Sequence, residues 1–200
     1  MKWILGLICL GLPASAQDVI ATAQGLYSRM PEVVAVERIA GNCGATPAVN
    51  PRVAYCTSQN RIFVAKGILA DPSAPYEIAH QFGHAIFVKH GLADIALATI
   101  RANRGQEAYL RGQVSRQIDC LAGVIYARAG FARASLADWF PAEPFTGSHW
   151  GRDPLRIGPR ASIGLEERDA WFVKGQVAGE PSVCAVPELP VELLITPFQG

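Results

Sequence analysis

The chain has 200 residues, 50% of them hydrophobic and 18% charged, with 18 Lys and Arg against 17 Asp and Glu. That length and balance suit one globular domain able to bury a real core. Near-neutrality without a basic cluster argues against a nucleic-acid partner, and beyond residue 12 no stretch is long and apolar enough to span a bilayer.

Residues 1–16 read as a secretory signal. Lys2 supplies the basic start, and the apolar run 3–12 is too short to cross a membrane as a stable helix. Pro13 breaks it, and Ala14-Ser15-Ala16 gives an A-x-A site, so cleavage is expected before Gln17. Cys9 follows Ile8, not the small residue that precedes a lipoprotein cysteine. Removal takes away Lys2 and no other charge, leaving 17 residues of each sign. The expectation is an exported chain, periplasmic or extracellular, with residues 17–200 forming one domain that has no membrane association once the signal is gone. Its oligomeric state is not written in the sequence.

Val19, Ala23, Leu26 and Met30 recur at helical spacing and predict a helix over 18–30, ended by Pro31. The β-branched stretch 33–39 predicts a strand. Residues 41–51 form a turn-rich loop carrying Cys43. Strands are expected over 53–56 and 61–66, joined across 57–60. Pro72-Ser73-Ala74-Pro75 opens a helix over 75–90 that Gly91 stops, and a short helix over 92–102 follows. The longest helix spans 106–129 and ends at Gly130. Residues 131–159 are rich in Pro, Gly and aromatics, with a short helical piece near 134–139. A last helix covers 166–177, and an extended tail follows Cys184. The fold class is α+β: a small sheet, then a helical half. No repeat or low-complexity block interrupts it.

Without Cys9 four cysteines remain, Cys43, Cys56, Cys120 and Cys184, and an even count in an exported chain reads as two disulfides. Three pairings are possible and the sequence does not choose among them. The favoured one closes a short loop with Cys43–Cys56 and pins the tail to a core helix with Cys120–Cys184.

The chemistry centres on His80-Gln81-Phe82-Gly83-His84. Two histidines four apart on a helix share one face and can hold one metal ion. The spacing is that of H-E-x-x-H, whose glutamate takes a proton from zinc-bound water. Gln81 has nearly the shape of glutamate, but an amide cannot accept that proton. The apolar flanks Ile78-Ala79 and Ala85-Ile86 place the pair on a buried or cleft-facing helix. One helical hairpin later comes Ser115-Arg116-Gln117-Ile118-Asp119-Cys120-Leu121-Ala122-Gly123.

Together these segments resemble the bacterial neutral zinc metallopeptidase family, with its I-A-H-E-x-G-H helix and following E-L-Q-A-D-C-x-A-G helix. The family's H-G-T-S-x-Q-R-x-x-W-F-x-x-G signature is echoed by 162–175, with Arg168, Trp171, Phe172 and Gly175 in place and Cys184 near the family's last cysteine. Tyr55-Cys56 and Ile62-Phe63-Val64 are similar to its Y-C…I-Y-L strands. The resemblance covers most of residues 50–184. It implies a zincin-like arrangement, with zinc as cofactor and a sheet edge beside the histidine helix as the place for an extended peptide.

The departures from that family fall on the chemistry. Gln81 stands at the position of the general base. Ser115 stands where the resemblance puts a glutamate, four residues before Asp119, as third zinc ligand. Asp119 matches the carboxylate that orients a ligand histidine, and Ser162-Ile163 replace His-Gly. A catalytic zinc normally has three protein ligands and a water, and His80 and His84 supply two. The expectation is a degenerate, proteolytically inactive relative that binds a peptide or regulates a protein partner. One alternative is a slow zinc peptidase recruiting Asp119 or His149 as third ligand. Another is a structural envelope protein in which His80 and His84 are packed core residues bonded to Asp119 and Gln81. His90 reads as a cation at a helix C-terminus. Trp139, Phe140, Phe145 and Trp150 read as loop anchors, and Arg168 as the partner of Asp119 or of solvent.

Overall fold

The computed structural model describes residues 12–49, 52–147, 155–156 and 158–189. His149 and Trp150 lie outside them, as do most of the expected signal and the last eleven residues.

Three strands form the sheet: β1 (Glu32–Val36), β2 (Val53–Cys56) and β3 (Arg61–Ala65). Their order is β1-β3-β2, with β1 parallel and β2 antiparallel to β3. The period-2 alternation of strands sends neighbouring side chains to opposite faces. Val53, Tyr55, Ile62 and Val64 accordingly join the main core, while Ala54, Cys56 and Phe63 join a smaller cluster on the far face. That far face is covered by the loop through Ile39, Ala45 and Val49, fastened by the Cys43–Cys56 disulfide with its Cα atoms 6.1 Å apart.

Five helices follow the expected order: α1 (Ala14–Leu26), α2 (Ala74–Lys89), α3 (Leu92–Ala102), α4 (Glu107–Arg128) and α5 (Leu165–Ala178). The ends of α2 to α5 lie within about two residues of the sequence expectation, because Gly91, Gly130 and Gly179 each adopt the positive φ that ends a helix. The first helix differs at both ends. It begins at Ala14, inside the expected signal, since Ala14-Ser15-Ala16 favour helix once Pro13 stands at the start. It also stops at Leu26, with Tyr27 already extended and buried along with Met30. None of the helices among the described residues is long and apolar enough to cross a membrane.

α2 is buried without a break from Ala74 to Gly83, and α4 from Gln117 to Tyr126. Helices buried on nearly all sides are core elements, and α4 lies between α2 and α5. α4 meets α5 backbone to backbone. A Cβ on Gly123 would lie 2.0 Å from the Phe172 carbonyl oxygen, and one on Gly175 2.0 Å from that of Cys120. Both positions therefore admit only glycine. The second disulfide, Cys120–Cys184, ties the segment after α5 back to α4 with its Cα atoms 5.5 Å apart. Two disulfides belong to an oxidising, exported setting.

Candidate functional site

His80 and His84 sit one turn apart on α2 with ring centroids 5.0 Å apart. His80 is buried; His84 is partly exposed. Asp119, on the facing turn of α4, contacts His80 Nδ1 through Oδ1 at 2.8 Å. The same oxygen accepts the Tyr76 hydroxyl at 3.0 Å, and Oδ2 accepts from Arg168 Nη1 at 2.7 Å. Arg168 reaches across from α5 and is itself fully buried. Of the two partners open to Arg168, the structure has Asp119.

Arg168 has a second partner that sequence reasoning missed. Its Nε donates to Glu143 at 2.8 Å, and Glu143 also accepts from the Ile163 amide at 2.9 Å and from the Ser162 hydroxyl. Glu143 lies between prolines in an irregular segment, where nothing in the pattern marks it. Tyr76 was missed too, although its place four residues before His80 on one helix is a readable signal.

The electrostatics follow from this packing. Burial pushes the Asp119 carboxyl up, but Arg168, His80 and Tyr76 together outweigh it and hold the group below the usual carboxylate range. Burial dominates at His80 and lowers its pKa despite Asp119. Burial likewise drives the Tyr76 hydroxyl well above its ordinary value. Glu143 is held low: burial is outweighed by Ser162, Ile163 and Arg168. The cluster is therefore an ionised Asp119–Arg168–Glu143 array carrying a neutral imidazole, with its buried charges paired as such charges must be.

Gln81 is buried next to His80, and its Oε1 accepts the Tyr55 backbone N–H at 3.2 Å. Arg52 O and Ala65 N pair β2 to β3, so the alternate residue Tyr55 directs its N–H away from β3. Gln81 thus closes the outer edge of β2 and does not bond the histidines. All four residues of β2 are buried. At Tyr55 the edge beside the histidine helix, expected to receive an extended peptide, is capped from within the chain.

A loop covers His80. Phe145 stacks on His80, with centroids 4.3 Å apart and planes 18° apart, from a backbone φ of 56°. The Glu143 contacts and a bond from Ala161 N to Thr146 O, 2.9 Å, hold this loop in place. Trp139 and Phe140 pack on Tyr76 at 6.1 and 5.8 Å, in keeping with their reading as loop anchors. His90 caps the C-terminus of α2, as expected, and is buried with its ring edge against Tyr27 at 5.1 Å.

Among the described residues no group of three His, Cys, Asp or Glu side chains converges as a metal site. Asp119 spends both oxygens on Tyr76, His80 and Arg168, which is the position of a carboxylate orienting a histidine, not of a ligand. Ser115, one turn before Asp119 on the same side of α4, is buried and offers a neutral hydroxyl. The described donors amount to two imidazoles, one short of the usual protein complement of a catalytic zinc. His149 falls outside the described residues. The chain matches no known protein family, no curated protein and no solved structure.

Proposed function

We propose that this chain is an exported, disulfide-stabilised, degenerate member of the neutral zinc metallopeptidase family, with a zincin-like ancestry. It is proteolytically inactive and works, in the periplasm or outside the cell, by binding a peptide or protein partner. One observation carries the inactive reading. The side chain at the position of the general base is an amide whose oxygen is committed to the Tyr55 N–H. An amide does not take the general base's proton, and its acceptor oxygen faces the strand edge. Loss of general-base catalysis alone removes about 10²–10⁴-fold in rate. Asp119, held by Arg168, supports the same reading, because recruiting it to a metal would unpair one arm of a buried guanidinium.

The test is metal content and peptide cleavage of purified protein spanning 17–200. The expected result is substoichiometric zinc and no cleavage in the natural sequence, with zinc uptake gained by the Gln81→Glu, Ser115→Glu double variant. Stoichiometric zinc with peptide cleavage, both abolished by His80→Ala, would sink the inactive reading. A folded double variant that takes up no zinc would mean that the groove has been repurposed.

A further inference from the structure

A cleft of 380 Å³ opens at the N-terminal end of α2, between the turn that precedes the helix and the segment carrying Trp139 and Phe140. That volume lies at the small end of natural ligand sites. Both aromatic rings are half-buried, and Tyr76 backs them. They form an apolar wall with an exposed face.

The polar wall is acidic. Arg52 is the one cation among the described lining residues, and its Nε and Nη2 are engaged by carboxylates. Nε donates to both oxygens of Glu77 at 3.1 and 2.9 Å, and Nη2 donates to Asp71 and Glu77, each at 2.7 Å. Glu77 is fully buried beneath the cleft and also accepts from Ser73 at 2.8 Å. Asp71 and Asp138 line the opening. Each uses only Oδ2 within the described chain, toward Arg52 and the Ser135 amide. Two carboxylates therefore pair with one guanidinium while a third, Asp138, lines the opening, and Asp71 and Asp138 each keep an oxygen without a partner among the described residues. An anion would meet a net negative wall whose cation is committed. A cation on a hydrocarbon stem would meet carboxylate oxygens at its head and aromatic faces along its stem, the combination that holds guanidinium and ammonium groups.

We infer that this cleft binds a guanidinium or primary ammonium group carried on a hydrocarbon stem, of the kind found on an arginine or lysine side chain or a free polyamine. None of the residues lining it belongs to the histidine motif or to the Asp119 helix, so the inference stands whether or not the metallopeptidase ancestry does.

Calorimetric titration of the disulfide-intact protein tests it with three probes: acetyl-Gly-Arg-Gly-amide, its neutral citrulline counterpart, and agmatine. The expected result is saturable binding of the arginine peptide and at least about tenfold weaker binding of the citrulline peptide. Asp138→Asn and Trp139→Leu, each with an unchanged melting temperature, should weaken arginine binding by about tenfold. Asp71→Asn serves as a third variant, because an amide there still accepts from Arg52. Agmatine bound as tightly as the peptide identifies free amines as the source of the ligand, and a tighter peptide identifies a side chain. Equal affinity for the arginine and citrulline peptides overturns the inference. So does arginine binding that survives in all three folded variants, or no saturable binding up to about 10 mM.

Discussion

Asp119 keeps its charge in the core because Arg168 is buried beside it, and Arg168 stays there because Glu143 takes its other arm. Breaking such a pair from one side leaves an uncompensated buried charge, which costs about 3–5 kcal/mol. Arg168→Met should lose that much in urea unfolding, and adding Asp119→Asn should recover part of it. A loss under about 1 kcal/mol would mean the cluster relaxes into solvent. The imidazole makes a second prediction. His80 is held below the usual histidine range, so its NMR titration midpoint should lie below about 6.5. The unfolded chain then takes up this proton at a higher pH than the folded one, so stability falls as pH drops from about 6.5 through the folded midpoint. Asp119, also held low, adds stability that is present above about pH 4 and lost as pH falls through its own folded midpoint. A His80 midpoint above that of a solvated imidazole would contradict the buried geometry. Asp119 and Arg168 were legible as motif positions, but their mutual contact was only one of two alternatives, since a sequence pattern carries no distance between helices. Glu143 was invisible for the same reason.

At the level of elements, the α4–α5 contact is the tightest in the molecule. Adding a methyl at Gly175 drives it into the Cys120 carbonyl, which is rigid helix backbone and not a movable side-chain tip. Overpacking typically costs about 1–3 kcal/mol. Gly175→Ala should sit at or beyond the top of that range in thermal or urea unfolding, whereas alanine at Gly25, which has open space around it, should be neutral or stabilising. Equal effects at the two sites would refute the close approach. The elements themselves were mostly readable, because glycine and proline punctuate α2 to α5 and β-branched runs mark the strands. Pairing was not readable. β1 joins β3 in parallel and skips β2, a choice fixed by packing between residues about thirty apart and not by local propensity.

Across the whole molecule, the two disulfides fasten the ends of the architecture to its middle. Cys43–Cys56 holds the loop over the sheet's far face, and Cys120–Cys184 closes 64 residues around α5. By loop-closure entropy the shorter bridge is worth about 3 kcal/mol and the longer about 4 kcal/mol. Replacing Cys120 and Cys184 together by alanine should therefore lower the melting temperature more than replacing Cys43 and Cys56, as calorimetry would measure; the reverse order would mean that the outer loop carries more of the fold than its length suggests. The pairing matches the favoured one of three, preferred because it closes a short loop with Cys43–Cys56 and pins the tail to a core helix with Cys120–Cys184. Gln81 has one more consequence at this scale. An unpaired strand edge is a template for other chains, and on the β2 side a glutamine amide oxygen already occupies the place of a neighbouring strand's carbonyl. Among the described strands the more exposed edge is half-exposed β1, where Glu32 pairs with Arg61 on β3 and puts charge along the approach. At Tyr55 the β2 edge thus offers an incoming chain no free donor.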